Sequence, residues 1–227
     1  MKELPFDPYD FFGYIASGLV LVALAQVVFG FPRVIGTDLK AFDVAITILT
    51  VYIVGQIVAG PAKLLLEDLL VHRVLGSPTE NLLRSKAPRF RKLLFPGFYR
   101  PLPSVVRSKV EAKIEAFRPA PHDSEGIFLT VRYSPEILKD ERLLVRIDKF
   151  RDLYGFNRNV SFSLLLAATV LLVLGRIQAR ASLVHFGIVA TVAGVLLLYR
   201  FLKFYRQYSY ELLNCYACMS EKGKADV

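Results

Sequence analysis

Apolar positions along this chain gather into four long runs, separated by stretches where charge is dense. Residues 11–32 form 22 positions without a charge, and 44–62 form 19 between Asp43 and Lys63. Residues 159–175 form 17, and 181–199 form 19 that hold His185 but no Lys, Arg, Asp or Glu. About 20 apolar residues in a helix rising about 1.5 Å per residue cross a hydrocarbon core of about 30 Å. Each run is therefore expected to be a transmembrane helix. The last two are separated by the short 176–180 turn and should form a helical hairpin. Outside the runs the helical period continues. Residues 62–75 keep apolar positions at helical spacing beyond Gly60-Pro61, where a kink is expected. Residues 135–154 lead in the same way into the third run.

Between these two stalks lie 78–87, 89–99 and 103–117. In the last, Val106, Val110, Ile114 and Phe117 fall three to four apart, the pattern of an amphipathic helix. Pro119, Pro121 and Gly126 break the chain after it. Residues 127–133, Ile-Phe-Leu-Thr-Val-Arg-Tyr, have the β-branched and aromatic content of a short strand. The resulting expectation is an all-α protein: a four-helix transmembrane bundle with a small, mostly helical cytoplasmic domain inserted between the second and third spans. Its parts are a first helical pair at 1–62, a basic domain with stalk helices at 63–158, a second pair at 159–205 and a tail at 206–227.

Composition agrees with this pattern. Of 227 residues 54% are hydrophobic, above the roughly 45–50% usual in soluble domains. Glu3, Asp7 and Asp10 precede the first run, where a cleavable signal peptide carries positive charge, so that run reads as a retained helix. The net charge is +9, and 19 of the Lys and Arg residues lie in 61–158 against 12 acidic residues. The two short loops hold only Arg33 with Lys40 and Arg176 with Arg180, and five basic residues follow the fourth run. By the positive-inside rule the central segment and both termini face the cytoplasm of a bacterial inner membrane.

The densest basic patch interleaves Arg84, Lys86, Arg89, Arg91, Lys92 and Arg100 with Phe90, Phe95, Phe98 and Tyr99. Such a mixture suits anionic lipid headgroups. It also suits an anionic ligand such as a nucleotide or nucleic-acid strand, with bases on the rings. Membrane lipids, further copies of the chain and a soluble regulatory protein complete the expected partners. Within the spans the polar inventory is mild: Ser17, Gln26, Thr47, Thr50, Tyr52 and Gln56. Thr47 and Thr50 lie within about 60° of each other on a helix, with Tyr52 and Gln56 on the other side. A pore would thus need several subunits, and interhelical hydrogen bonding is the competing role. Gly13, Ser17, Gly187, Ala190 and Gly194 allow close helix approach. No buried carboxylate, Lys or Arg falls within the four runs, which argues against proton-coupled transport.

Catalytic chemistry finds no foothold. His72, His122 and His185 sit in no HExxH pattern, and neither a phosphate-binding glycine loop nor GxSxG occurs. Cys215 and Cys218 form a single CxxC without a second ligand pair at zinc spacing. No enzyme activity, cofactor or metal is expected.

Three aromatic-rich stretches stand beside the spans: Pro8-Tyr-Asp-Phe-Phe-Gly-Tyr14, Leu153-Tyr-Gly-Phe-Asn-Arg-Asn159 and Phe201-Leu-Lys-Phe-Tyr-Arg-Gln-Tyr-Ser-Tyr-Glu211. Together they resemble small bacterial multi-pass membrane proteins, some of which belong to anti-phage defence systems. Their layout is similar to that of oligomeric channel-like effectors such as the membrane component of the Hailong system. The resemblance implies a gated pore or membrane-disrupting effector and assigns no ligand residues. Physically, these rings form interface belts. Asp10 and Glu211 are carboxylates in the same surroundings, and one of them is expected to pair with Arg158, Arg200 or Arg206. The leading functional expectation is an oligomeric channel or membrane effector gated from the cytoplasm. The alternative is a membrane anchor that recruits a soluble partner through its basic domain.

Overall fold

A computed structural model of the chain describes residues 8–30, 41–84, 87–116, 121 and 123–219. Arg33, Lys40, Lys86, Phe117, Pro119 and His122 lie outside the described residues, as does the side chain of Asp10. Nine α-helices and one π-helical stretch are found among the described residues, and no strand. They are α1 (Pro8–Phe29), α2 (Ala41–Ala62), the π stretch (Lys63–Leu75), α3 (Pro78–Arg84), α4 (Arg89–Leu94), α5 (Ser104–Glu115), α6 (Ser124–Arg132), α7 (Pro135–Leu138), α8 (Glu141–Ile177) and α9 (Ala181–Met219). Four helices are long and apolar enough to cross a membrane, and they coincide with the four apolar runs.

The chain divides into two compact units. One comprises 1–69 with 152–201, the other 70–151 with 202–227. Within the expected tail at 206–227, residues 206–219 prolong α9 and group with 70–151.

In the first unit α1 packs along α2. A Cβ added to Gly18 would collide with the carbonyl oxygen of Val51, and one added to Gly55 with that of Tyr14. The two backbones therefore touch, and glycine is required at both points. The α8–α9 hairpin is equally close: a Cβ on Gly187 would come 2.7 Å from Leu172 Cγ, and one on Gly194 2.9 Å from Leu165 Cδ2. Ser161 Oγ donates to the Gly194 carbonyl at 2.8 Å, tying the hairpin across its middle. The turn between these helices is made by Ala179 at φ 52, a left-handed conformation, with Arg180 N donating to the Gly175 carbonyl at 3.0 Å. Outward faces remain apolar and exposed at Val27, Ile57, Phe186 and Val189, as lipid contact requires.

The expected break at Gly60-Pro61 takes a specific form. Pro61 lies inside α2, and from Lys63 the backbone widens to π geometry for 13 residues. Proline has no N–H for the carbonyl four residues back, and local π adjustment is one way a helix re-satisfies the groups it frees. Gly76, at φ 83, ends the stretch.

The second unit is built of short helices around Leu82, Val110, Val131, Ile147, Leu212 and Leu213, all fully buried. Of the stripe expected at 106–117, Val106, Val110 and Ile114 lie on α5, with Val110 and Ile114 buried. Residues 127–133 differ from expectation, because they belong to helix α6 and its end. Asp123 caps this helix by accepting from Gly126 N at 3.2 Å, and Ile127 and Val131 bury one face. A single strand would have left its backbone groups unpaired. The local cap and the burial of positions four apart outweigh β propensity here.

Candidate functional site

The first unit buries a polar cluster where α8 enters its apolar stretch. Asp152, Asn157, Asn159, Ser161 and Ser163 are all buried, and so is Glu67 on the π stretch. Arg158 Nη1 donates to Glu67 Oε2 in an ion pair whose two side chains are 13% and 10% exposed. Arg158 Nε donates to Asn159 Oδ1 at 3.2 Å, which fixes the guanidinium edge that is not facing Glu67. Asn157 Nδ2 is turned back on the Leu153 carbonyl at 2.6 Å. Ser163 Oγ is buried and finds no hydrogen-bond partner among the described residues. Breaking a buried pair of this kind costs about 3–5 kcal/mol, because it strands a charge.

No charge lies within the limits of the four apolar runs, yet the unit that contains them buries Glu67 with Arg158 just beyond those limits. Sequence reading missed the pair because its members stand 91 positions apart. The available signal was Glu67 itself, a carboxylate within the apolar sequence Leu-Leu-Leu-Glu-Asp-Leu-Leu. Its position in a long π stretch adds weight, since π geometry is frequent at functional sites.

The polar residues expected to line a pore or glue helices are mostly engaged locally. Ser17 is buried, and its hydroxyl meets the Gly13 carbonyl at 2.9 Å and that of Tyr14 at 3.1 Å. Thr47 Oγ1 donates to the Asp43 carbonyl at 2.7 Å and Thr50 Oγ1 to that of Ile46 at 2.8 Å. Gln56 Nε2 donates to the Tyr52 hydroxyl at 2.8 Å. Gln26 differs: its Nε2 is buried and unpartnered among the described residues.

In the second unit the α9 residues that follow the fourth span carry several polar and aromatic contacts. Tyr205 hydroxyl and His72 Nε2 are 2.8 Å apart, with the two rings stacked at 6.2 Å. Glu211 accepts from Arg146 Nη2 at 3.0 Å and from Gln207 Nε2 at 3.0 Å. Arg206 Nη2 donates to the Arg100 carbonyl at 2.7 Å, and its guanidinium lies over the Tyr210 ring at 5.5 Å. Lys113 Nζ donates to the Tyr216 carbonyl and sits 4.5 Å from that ring's centre. Of the two carboxylates expected to pair with Arg158, Arg200 or Arg206, the side chain of Asp10 lies outside the described residues, and Glu211 has a different partner. Arg146, an exposed residue of α8, takes the carboxylate. It was overlooked because it belongs to a stalk read only for its apolar period.

The basic patch separates into pieces. Arg84 borders a cleft of about 280 Å³ with Glu80, Leu83, Asp123, Ser124 and Ile127. Burial raises the Tyr99 phenol above its ordinary pKa, against the lowering effect of the Arg91 charge. Tyr99 in turn donates to the Leu75 carbonyl at 3.0 Å. Arg100 is exposed. Arg89 and Lys92 stand exposed on α4, a helix with no buried residue. Cys215 and Cys218 are free thiols on α9, and no group of three potential metal ligands converges among the described residues. Comparison with protein families, with curated proteins and with solved structures finds no match to this chain.

Proposed function

We propose that this chain is a subunit of a homo-oligomeric channel or membrane-disrupting effector of a bacterial inner membrane, gated from the cytoplasmic side by the state of the Glu67–Arg158 pair. The observation that supports it most is that ion pair, buried in the unit of the four membrane-crossing helices and seated on π-helical backbone. Ionisable groups buried in such surroundings are costly and mark functional elements. A pair that stabilises one arrangement and is disrupted in another provides a two-state element for an activating signal to bias. The test is ion leakage on expression, with planar-bilayer conductance of the purified protein. Glu67→Gln should change open probability strongly, and the double variant Glu67→Leu with Arg158→Leu should regain stability without regaining regulation. Protein that stays monomeric and electrically silent, wild type and variants alike, would overturn the reading.

A second reading, a membrane anchor that recruits a soluble partner or an anionic nucleotide or nucleic-acid ligand, is favoured by a different observation. The hydroxyls of Ser17, Thr47 and Thr50 are engaged by their own helices, and Gln56 by Tyr52. Side chains so occupied suit lipid contact or packing as well as a pore wall. Capture of a specific partner by the full chain, lost on charge reversal in the basic patch and without any conductance, would select this reading.

A further inference from the structure

Helix α4 runs Arg89-Phe-Arg-Lys-Leu-Leu94 between Pro88 and Pro96, and none of its residues is buried. Phe90 is 72% exposed, Leu93 82% and Leu94 46%. At about 100° per residue these three occupy an arc of about 100° on one side of the helix. Arg89 falls beside Leu93 at one border of that arc, and Arg91 beside Leu94 at the other. Lys92 lies on the opposite, polar side. Among the described residues neither Arg89 nor Lys92 is engaged by a carboxylate. Arg91 is half-buried, and Phe98 and Tyr99 just after the helix are buried, with Tyr99 bonded to the Leu75 carbonyl, so the segment is anchored from beneath while the apolar arc of α4 faces outward.

An apolar arc bordered by cations has the design of an interfacial helix: rings and leucines enter the headgroup boundary while the cations meet phosphate. Because the chain has four helices able to cross a membrane, a lipid surface is present at high effective concentration wherever the protein resides. We propose that α4 docks on the anionic phospholipid surface of the protein's own membrane, with Phe90 and Leu93 inserted at headgroup depth and Arg89 and Lys92 on lipid phosphates. The inference stands apart from channel activity and holds for an anchor as well.

The chain contains no tryptophan, so a single introduced one reports alone. Full-length Leu93→Trp is placed in nanodiscs of phosphatidylglycerol or of phosphatidylcholine, each with and without brominated acyl chains. In phosphatidylglycerol the emission should be blue-shifted and quenched by bromine. Adding Arg89→Glu and Lys92→Glu should remove about half of that quenching or more, while the circular dichroism melt stays unchanged. Water-like, unquenched emission in both nanodiscs would overturn the proposal. So would blue-shifted emission that bromine does not quench, which places the helix against protein, whether a second copy or another chain. Equal quenching in both lipids, untouched by the charge reversal, would overturn the role of Arg89 and Lys92.

Discussion

In the unit that carries the four apolar helices, backbones meet through glycine, with Gly18 against Val51 and Gly55 against Tyr14. In the other unit, Leu82, Leu212, Leu213 and Tyr99 fill the space between short helices with bulk. Such a contrast is what a lipid-facing unit and a water-facing unit would each require. Lipid tails are as apolar as leucine, so helices in a bilayer gain little by burying large side chains and associate instead through close van der Waals contact. In water, each large side chain removed from solvent stabilises the fold by about 1.5–3 kcal/mol. One sequence thus contains two packing regimes, and the glycines carry the first as the leucines and tyrosines carry the second.

The strongest way to break this comparison is to add bulk where backbones touch. Gly55→Leu should destabilise the α1–α2 pair by more than about 3 kcal/mol, since backbone cannot move aside as a side chain can. Gly60→Leu, with nothing within 4 Å of its Cβ position, should be tolerated. Unfolding in mixed micelles, monitored by helical circular dichroism, separates the two. Removing bulk tests the other regime: Leu212→Ala, at a fully buried site, should cost about 2–5 kcal/mol, read from the melt of the full-length protein. A smaller effect is expected at Tyr99, where loss of the hydroxyl in Tyr99→Phe leaves the Leu75 carbonyl without that donor and should cost about 1 kcal/mol. Burial raises the Tyr99 pKa, so the folded protein favours the neutral phenol. That contribution is complete below the unfolded value of about 10 and is lost as pH rises through the higher folded value. The alkaline fall in stability should therefore be blunted in Tyr99→Phe. The smallest change is a gain. Ala179→Gly relieves a left-handed alanine in the α8–α9 turn and should add about 0.5 kcal/mol after the entropy of glycine is counted.

The apolar runs made the four long helices legible, because a span is defined by what it lacks, and a run without charge is visible in one dimension. The stripe of Val110 and Ile114 was legible for a similar reason: period reports a buried face. Residues 127–133 were misread because β-branched content speaks only to local preference, while the Asp123 cap and the burial of Ile127 and Val131 depend on neighbours. The candidate site was the least legible part. Glu67 with Arg158, and Glu211 with Arg146, are pairings across 91 and 65 positions. The charges were visible in the sequence, but partner choice is set by three-dimensional proximity that no local pattern encodes. Gly18 and Gly55 were overlooked while Gly13 and Ser17 drew attention, since spacing along one helix does not say which small residue faces the neighbouring backbone.

The reciprocal contact of Gly18 and Gly55 has a genetic consequence. Every missense change at a glycine codon adds a side chain, so at these two positions there is no conservative replacement. In a saturation library sorted for intact protein, both columns should be empty apart from glycine itself, while Gly60 and Gly97, with open space where a Cβ would stand, accept many residues. The helix pair would then be read directly from the pattern of permitted codons, without a structure.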